Sequence, residues 1–231
     1  MGPQNLPLRL AEVRERMARA AARAGRSAHS VTLLAVSKAQ PLTLMRAAAD
    51  LGLSDFGESY LDEALEKIAA LQDRSLTWHF IGRVQANKTR PIAASFAWVH
   101  AVDRLRVAER LSEQRPFHAP PLNVCLQVNL AAEPTKGGVA CAQLPALARA
   151  VAALPRLKLR GLMCLPPHEA DPQRQGHWFG ELRRLQASLN AQGAALDTLS
   201  MGMSDDFEAA ILEGATVVRL GTVLFGPRSV Q

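Results

Sequence analysis

Apolar positions along the chain follow two periods that take turns. Near the N-terminus Leu10, Val13, Met17, Ala20 and Ala24 share one helical stripe within residues 8–24, and Gly25 is a natural stop. The run VTLLAVSK (31–38) then has the length and apolar content of a buried strand. Further strand-like runs are DFGES (55–59), WHFIG (78–82), FAWVHAV (96–102), NVCLQVNL (123–130), KLRGLMC (158–164), TLSMG (198–202) and TVVRLGTVLFG (216–226). Helical segments separate them. A small apolar helix is expected at about 42–51, and Leu61, Leu65, Ile68 and Leu71 mark the next. A weaker helix contains Pro91, and Leu105, Ala108 and Leu111 mark its successor. Pro145 opens a helix lined by Leu144, Leu147, Val151 and Leu154. Trp178, Leu182, Leu185 and Leu189 follow, then a short helix at roughly 205–213 that ends at Gly214.

Eight short strands alternating with helices imply a parallel sheet, and eight units close into a barrel. The expectation is a single-domain (β/α)8 TIM barrel of the α/β class over residues 1–231, its barrel at about 31–226, with an extra N-terminal helix. An open doubly wound sheet competes, but gives no reason for the count of eight. In a barrel the chemistry sits at the C-terminal ends of the strands and on the loops that follow them.

Bulk composition narrows the class. A chain of 231 residues with 48% hydrophobic content can bury a sizeable core. Its net charge of +6 raises the question of nucleic acid. The basic residues are scattered, however, with Arg9, Arg14, Arg16, Arg19 and Arg23 on one helix and Arg183 and Arg184 on another. Aromatics are only 5%, so solvated helix faces are the reading and no nucleic-acid partner is expected. Cys125, Cys141 and Cys164 form no C-x-x-C pair and fit reduced thiols in a cytoplasmic protein. His79, His100, His118, His168 and His177 show no metal-ligand spacing. No apolar stretch approaches about 18 residues, and the N-terminus lacks a signal-peptide core.

Three features carry chemistry. Lys38 ends the first strand, where a lysine either snorkels to water or offers a partly desolvated amine for a Schiff base. The run SMGMSDD (200–206) opens a helix after the seventh strand, and Ser200, Gly202 and Ser204 supply hydroxyls and backbone N–H groups there. Gly221 and Thr222 add a turn and a hydroxyl after the eighth strand. Phosphate sites in such barrels lie where these two loops meet. Simple capping by Ser204, with Asp205 and Asp206 favoured by the helix dipole, is the other reading of that segment. Arg219, between Val218 and Leu220, needs a partner: a ring nitrogen, an acid, or a carboxylate such as Glu58 or Asp103. Together a Schiff-base lysine, a phosphate cradle and a placed arginine suggest pyridoxal 5′-phosphate.

The chain closely resembles the pyridoxal phosphate homeostasis proteins over essentially its whole length. The resemblance rests on LLAVSK (33–38), FGESYLDEALEK (56–67), WHFIG-x-x-Q-x-NK (78–88), GLMCLP (161–166), LSMGMSDDFEAAI (199–211) and VRLGTVLFG (218–226). It implies a fold-type III pyridoxal-phosphate barrel like that of alanine racemase. It further implies that Lys38 carries the cofactor as an aldimine, that Ser204, Gly221 and Thr222 hold its phosphate, and that Arg219 faces the pyridine nitrogen. Ser200 and Ser59 complete the implied set. Position 59 is Ser where the family more often has Asn, position 83 is Arg where it more often has His, and Lys136 lies in a loop resembling a family K-x-G segment. The resemblance implies a cytoplasmic carrier or buffer of the cofactor, with pyridoxal-phosphate-dependent apo-enzymes as partners. Racemases of this type use the cofactor lysine with a tyrosine from a second, β-rich domain. This sequence stops at Gln231 and holds one tyrosine, Tyr60, so a non-catalytic monomer is expected. A fold-type III amino-acid racemase is the alternative.

Overall fold

Each predicted strand region forms a strand, and all are parallel. In the computed structural model, which describes residues 5–227 other than 134, 168 and 170, the strands are β1 (Thr32–Val36), β2 (Asp55–Glu58), β3 (Thr77–Phe80), β4 (Trp98–Val102), β5 (Leu122–Asn129), β6 (Val139–Ala140), β7 (Leu157–Cys164), β8 (Thr198–Ser200) and β9 (Val217–Leu220). His168 lies outside the described residues. The order β4-β3-β2-β1-β9-β8-β7-β5 is closed by pairing of β4 with β5, which makes an eight-stranded barrel. The two-residue β6 adds a ninth strand beside the end of β5. Sequence periodicity did not mark it, because two residues are too few to show an alternation.

The helices are α1 (Leu6–Arg23), α2 (Leu42–Asp50), α3 (Leu61–Ala70), α4 (Thr89–Ser95), α5 (Leu105–Gln114), α6 (Leu144–Ala152), α7 (Pro172–Ala191), α8 (Phe207–Leu212) and α9 (Thr222–Phe225). Gly25, at φ 66°, ends α1 as expected: its N–H donates to Ala22 and that of Arg26 to Ala21. Helix α1 packs on α8 and α9, where Arg16 lies 4.6 Å over the Phe207 ring and bonds Glu208 at 2.8 Å. No helix among the described residues is long and apolar enough to cross a membrane.

Strand alternation sorts the core into two layers. Val124, Leu126 and Val128 of β5 belong to the main cluster between sheet and helices, whereas Cys125 between them packs with Ala101, Met163 and Trp98 inside the barrel. Leu34 of β1 is in register with Arg219 of β9, which carries the same inward side across to the arginine.

One predicted element is corrected. The run 216–226 is not a single strand: β9 stops at Leu220, and the chain turns at Gly221 into α9. A parallel strand gains nothing beyond the barrel rim, where there is no neighbour to pair with. Leu224 and Phe225 bury themselves in the core from a helical turn instead.

Gly202 sets the loop between β8 and α8. Its φ is 92°, and a Cβ there would lie 2.6 Å from the Ala210 Cβ and 3.0 Å from the Phe207 Cα. Gly202→Ala therefore combines left-handed strain with overpacking and should destabilise by roughly 2–4 kcal/mol. Thermal unfolding should show Tm lower by about 4–16 °C; an unchanged Tm would mean the loop relaxes freely.

Candidate functional site

Lys38 lies two residues past the end of β1, in a turn held by its surroundings. The Gln40 N–H donates to the Ser37 carbonyl at 3.0 Å, and Ala39 sits at φ 57°, a region that costs a non-glycine residue about 1–2 kcal/mol. The Ala39 N–H is held by Glu63 Oε1 at 2.7 Å. That carboxylate also receives Lys67 Nζ at 2.5 Å. Lys67 donates further to the Ser37 carbonyl at 2.6 Å and to Glu58 Oε1 at 2.8 Å, and Ser37 Oγ donates to the same oxygen at 2.7 Å. One ammonium thus ties the end of β2, helix α3 and the Lys38 turn together. Glu58 is fully buried, and burial pushes its carboxyl above the usual range despite the Lys67 and Ser37 bonds.

Arg219 projects into the barrel and is 4% exposed. Its Nη1 donates to Ser200 Oγ at 2.9 Å and its Nη2 to the Cys164 carbonyl at 2.9 Å. No carboxylate among the described residues is hydrogen-bonded to it. The two that the sequence offered bond elsewhere, Glu58 to Lys67 at 2.8 Å and Asp103 to Arg104 at 3.3 Å. Burial lowers the arginine's pKa, yet a guanidinium stays protonated. A positive charge therefore sits inside the barrel with neutral acceptors only.

Below Arg219 the polar contacts continue down the barrel. Ser200 Oγ lies 2.7 Å from His100 Nδ1, His100 Nε2 lies 2.9 Å from His79 Nδ1, and His79 Nε2 lies 3.0 Å from Asp55 Oδ1. Burial lowers the pKa of His79 despite Asp55, and that of His100 well below the usual imidazole value, with His79 and Arg219 adding to the effect. The Asp55 carboxyl is lowered: burial raises it, but the hydrogen bonds from His79 and Ser54 outweigh that.

Ser204 does not cap α8. That helix begins at Phe207, and it is Asp206 Oδ1 that accepts from the Met203 N–H at 2.6 Å. The left-handed turn at Gly202 delays the helix past Ser204. Ser204 Oγ instead accepts from the Val223 N–H at 3.2 Å, across in the first turn of α9. The loops after β8 and β9 are thereby joined at one hydroxyl.

These pieces meet in a cavity of about 250 Å³ at the C-terminal end of the barrel. Lys38, Ser59, Ser204, Arg219, Gly221 and Thr222 all line it. Ser200, expected with them, does not: it is fully buried beneath Arg219 and touches the cavity only through that side chain. Lys136 is also elsewhere, bonding Glu133 at 2.9 Å and the Pro166 carbonyl at 3.2 Å. Sequence reasoning missed Gln40, the walls Ile81, Leu165 and Met203, and the role of Lys67. Ile81 and Leu165 each follow a strand end within a quoted motif, which was the available signal. Asp205 lines the cavity as well.

Comparison with known proteins identifies the chain's relatives. The family model for the alanine racemase N-terminal domain matches residues 8–229. A pyridoxal phosphate homeostasis protein of Pseudomonas aeruginosa is 58% identical over 219 residues, which is 95% of this chain and 94% of that protein. The chain belongs to this family. The Escherichia coli homeostasis protein is 48% identical over 222 residues, 95% of each. Among solved structures, PipY of Synechococcus elongatus without pyridoxal phosphate superposes with a TM-score of 0.86 at 37% identity, covering 96% of this chain and 100% of that one. The same protein with pyridoxal phosphate bound gives 0.79 at 38%, covering 85% and 93%. An alanine racemase from Corynebacterium glutamicum, at 19% identity and TM-score 0.67, shares the fold over 94% of this chain and 61% of its own.

Two outcomes test the polar interior. Lys67→Met would leave Glu58 buried without its counter-charge, and urea unfolding should show a loss of roughly 3–5 kcal/mol. The histidines set a pH dependence. In the unfolded chain they protonate near pH 6.5, while the native protein keeps them neutral to lower pH. Their contribution to stability is therefore complete above about pH 6.5 and lost as pH falls toward their native values. Unfolding free energies of wild type and His100→Asn, measured from pH 7.5 to 5, should diverge by the slope of one proton, the variant being less acid-sensitive. Parallel curves would mean that His100 is protonated in the native state.

Proposed function

We propose that this chain binds pyridoxal 5′-phosphate and serves vitamin B6 homeostasis as a carrier without a committed reaction of its own. The observation that carries this is the convergence of a lysine amine, a buried guanidinium and a hydroxyl-rich double loop on one cavity. The residues fit the cofactor. The cavity is of small-ligand size, a little below the roughly 300–1,000 Å³ typical of drug-sized sites. Gly221 lets its turn approach the end of β1 closely, since a Cβ there would lie 3.3 Å from the Val36 carbonyl oxygen.

The bound cofactor supplies an aldehyde for an amine and a phosphate for a cradle. Lys38 provides the amine, and its turn is held by Glu63 and Lys67. Ser204 and Thr222 hydroxyls with the Gly221 backbone would hold the phosphate, at the point where Ser204 already joins α9. Arg219, which lines the cavity, would donate to the pyridine nitrogen. A guanidinium does not give up its proton, so held this way the ring would stay unprotonated and be a weak electron sink. Ser59 would add a hydroxyl to the same cavity wall.

The same lining argues for a carrier. A racemase needs a second proton-transferring group facing the lysine. The titratable residues lining the cavity are Lys38, Asp205 and Arg219, with no Tyr, His or Cys among the described lining residues. Tyr60 is exposed and outside the lining. Burial pushes the Cys125 and Cys164 thiols up to about 12, so they are not nucleophiles. Relatives named as homeostasis proteins, and PipY with pyridoxal phosphate bound, support the reading. In this reading the receivers are cytoplasmic pyridoxal-phosphate-dependent apo-enzymes.

Titration of the purified protein with pyridoxal phosphate, borohydride reduction and peptide mapping test it. The pyridoxyl label should map to Lys38, and Lys38→Ala should lose both the label there and the yellow absorbance. Label spread over surface lysines would overturn the site. Exchange of the alanine α-proton in deuterated water that disappears in Lys38→Ala would overturn the carrier role in favour of an amino-acid enzyme.

A further inference from the structure

With both imidazoles neutral, the contacts from Arg219 to Asp55 admit one set of hydrogens that makes every bond. At the upper end, a guanidinium can only donate, so Ser200 Oγ accepts at 2.9 Å. At the lower end, the ionised Asp55 can only accept, so His79 Nε2 carries a hydrogen toward it at 3.0 Å. A neutral His79 then has a bare Nδ1, which accepts from His100 Nε2–H at 2.9 Å. His100 in turn has a bare Nδ1, which accepts the Ser200 hydroxyl hydrogen at 2.7 Å. Every donor points from the cavity toward Asp55. The reverse arrangement would set a bare His79 nitrogen against the carboxylate. A protonated His79 would turn His100 round and leave the Ser200 hydroxyl hydrogen with none of these acceptors. His79, His100 and Ser200 are all buried, whereas the Asp55 side chain is 26% exposed. Asp55 lies at the start of β2, at the end of the barrel opposite the cavity, and lines a separate cavity there with Arg14 and His29.

We propose that Asp55, His79 and His100 are positioning residues for Arg219, acting through a one-way hydrogen-bond chain along the barrel interior. The Asp55 carboxylate fixes both imidazoles as Nε2–H tautomers. The tautomers draw the Ser200 hydrogen downward, and the Ser200 lone pairs are left facing Arg219. The guanidinium is thereby oriented at the cavity by a charge at the far end of the barrel. That the oriented arginine serves pyridoxal phosphate rests on the function proposed above; the orientation itself does not.

The first test uses the cofactor-free protein. Long-range proton–nitrogen spectra should show both histidines neutral, with Nε2 protonated and Nδ1 bare, and the Arg219 Nη protons slow to exchange. Asp55→Ala should shift the His100 nitrogens and speed Arg219 Nη exchange about tenfold, while circular dichroism stays as in wild type. Ser200→Ala, a small change that cuts the chain in the middle, should speed the same exchange without altering His79. In wild type, either ring found as Nδ1–H or charged would overturn the proposal. So would an Arg219 exchange rate unaffected by both variants. The second test is titration with pyridoxal phosphate. Affinity should fall roughly 2- to 30-fold in Asp55→Ala and Ser200→Ala, the range of remote couplings of this kind. Wild-type affinity in both would overturn the link to the cavity. Failure of the wild-type protein to bind pyridoxal phosphate would overturn the proposed function instead, leaving the chain to be decided by the cofactor-free spectra.

Discussion

A guanidinium inside a closed barrel must find its acceptors within the protein, because an unpaired buried charge is far more costly than any single contact can offset. Arg219 meets that demand with two neutral oxygens, one from Ser200 and one from the backbone of Cys164. Neutral acceptors leave the positive charge uncancelled. It remains available at the base of the cavity, where a carboxylate partner would have quenched it. Much of the interior polarity follows from this choice. Ser200 has to turn its hydrogen away, His100 has to receive it, and the sequence of tautomers ends at Asp55.

The lysine side of the cavity solves a different problem with the same means. Lys38 must be presented on a turn whose next residue, Ala39, takes a left-handed conformation that alanine disfavours. Glu63, Lys67, Glu58 and Ser37 offset that strain through a network in which Lys67 is almost fully buried. Two buried polar assemblies therefore support the cavity. One is under Lys38 and one under Arg219, and each rigidifies a single functional side chain.

The chain belongs to the homeostasis protein family and shares its fold with a racemase. Fold alone does not separate the two. The cavity lining offers one amine, one permanent cation, one carboxylate in Asp205 and hydroxyls, but among the described lining residues no tyrosine, histidine or cysteine.

The alternation of periods along the chain was enough to determine the barrel, because eight apolar strand-length runs between amphipathic helices have few other ways to bury themselves. It also brought Lys38, Ser204, Arg219, Gly221 and Thr222 to one rim, since strand ends of a parallel barrel converge by topology. Local sequence did not determine where β9 ends, because the run continues apolar through a change from strand to helix. Nor did it reveal that Ser204 serves α9 rather than α8, a choice made by the turn at Gly202. The roles of Lys67, His79, His100 and Asp55 were decided only by the tertiary structure. Each looks like an ordinary polar residue in its own segment, and hydrogen bonds between residues 21 or 100 positions apart exist only once the barrel has closed and excluded the water that would otherwise satisfy them.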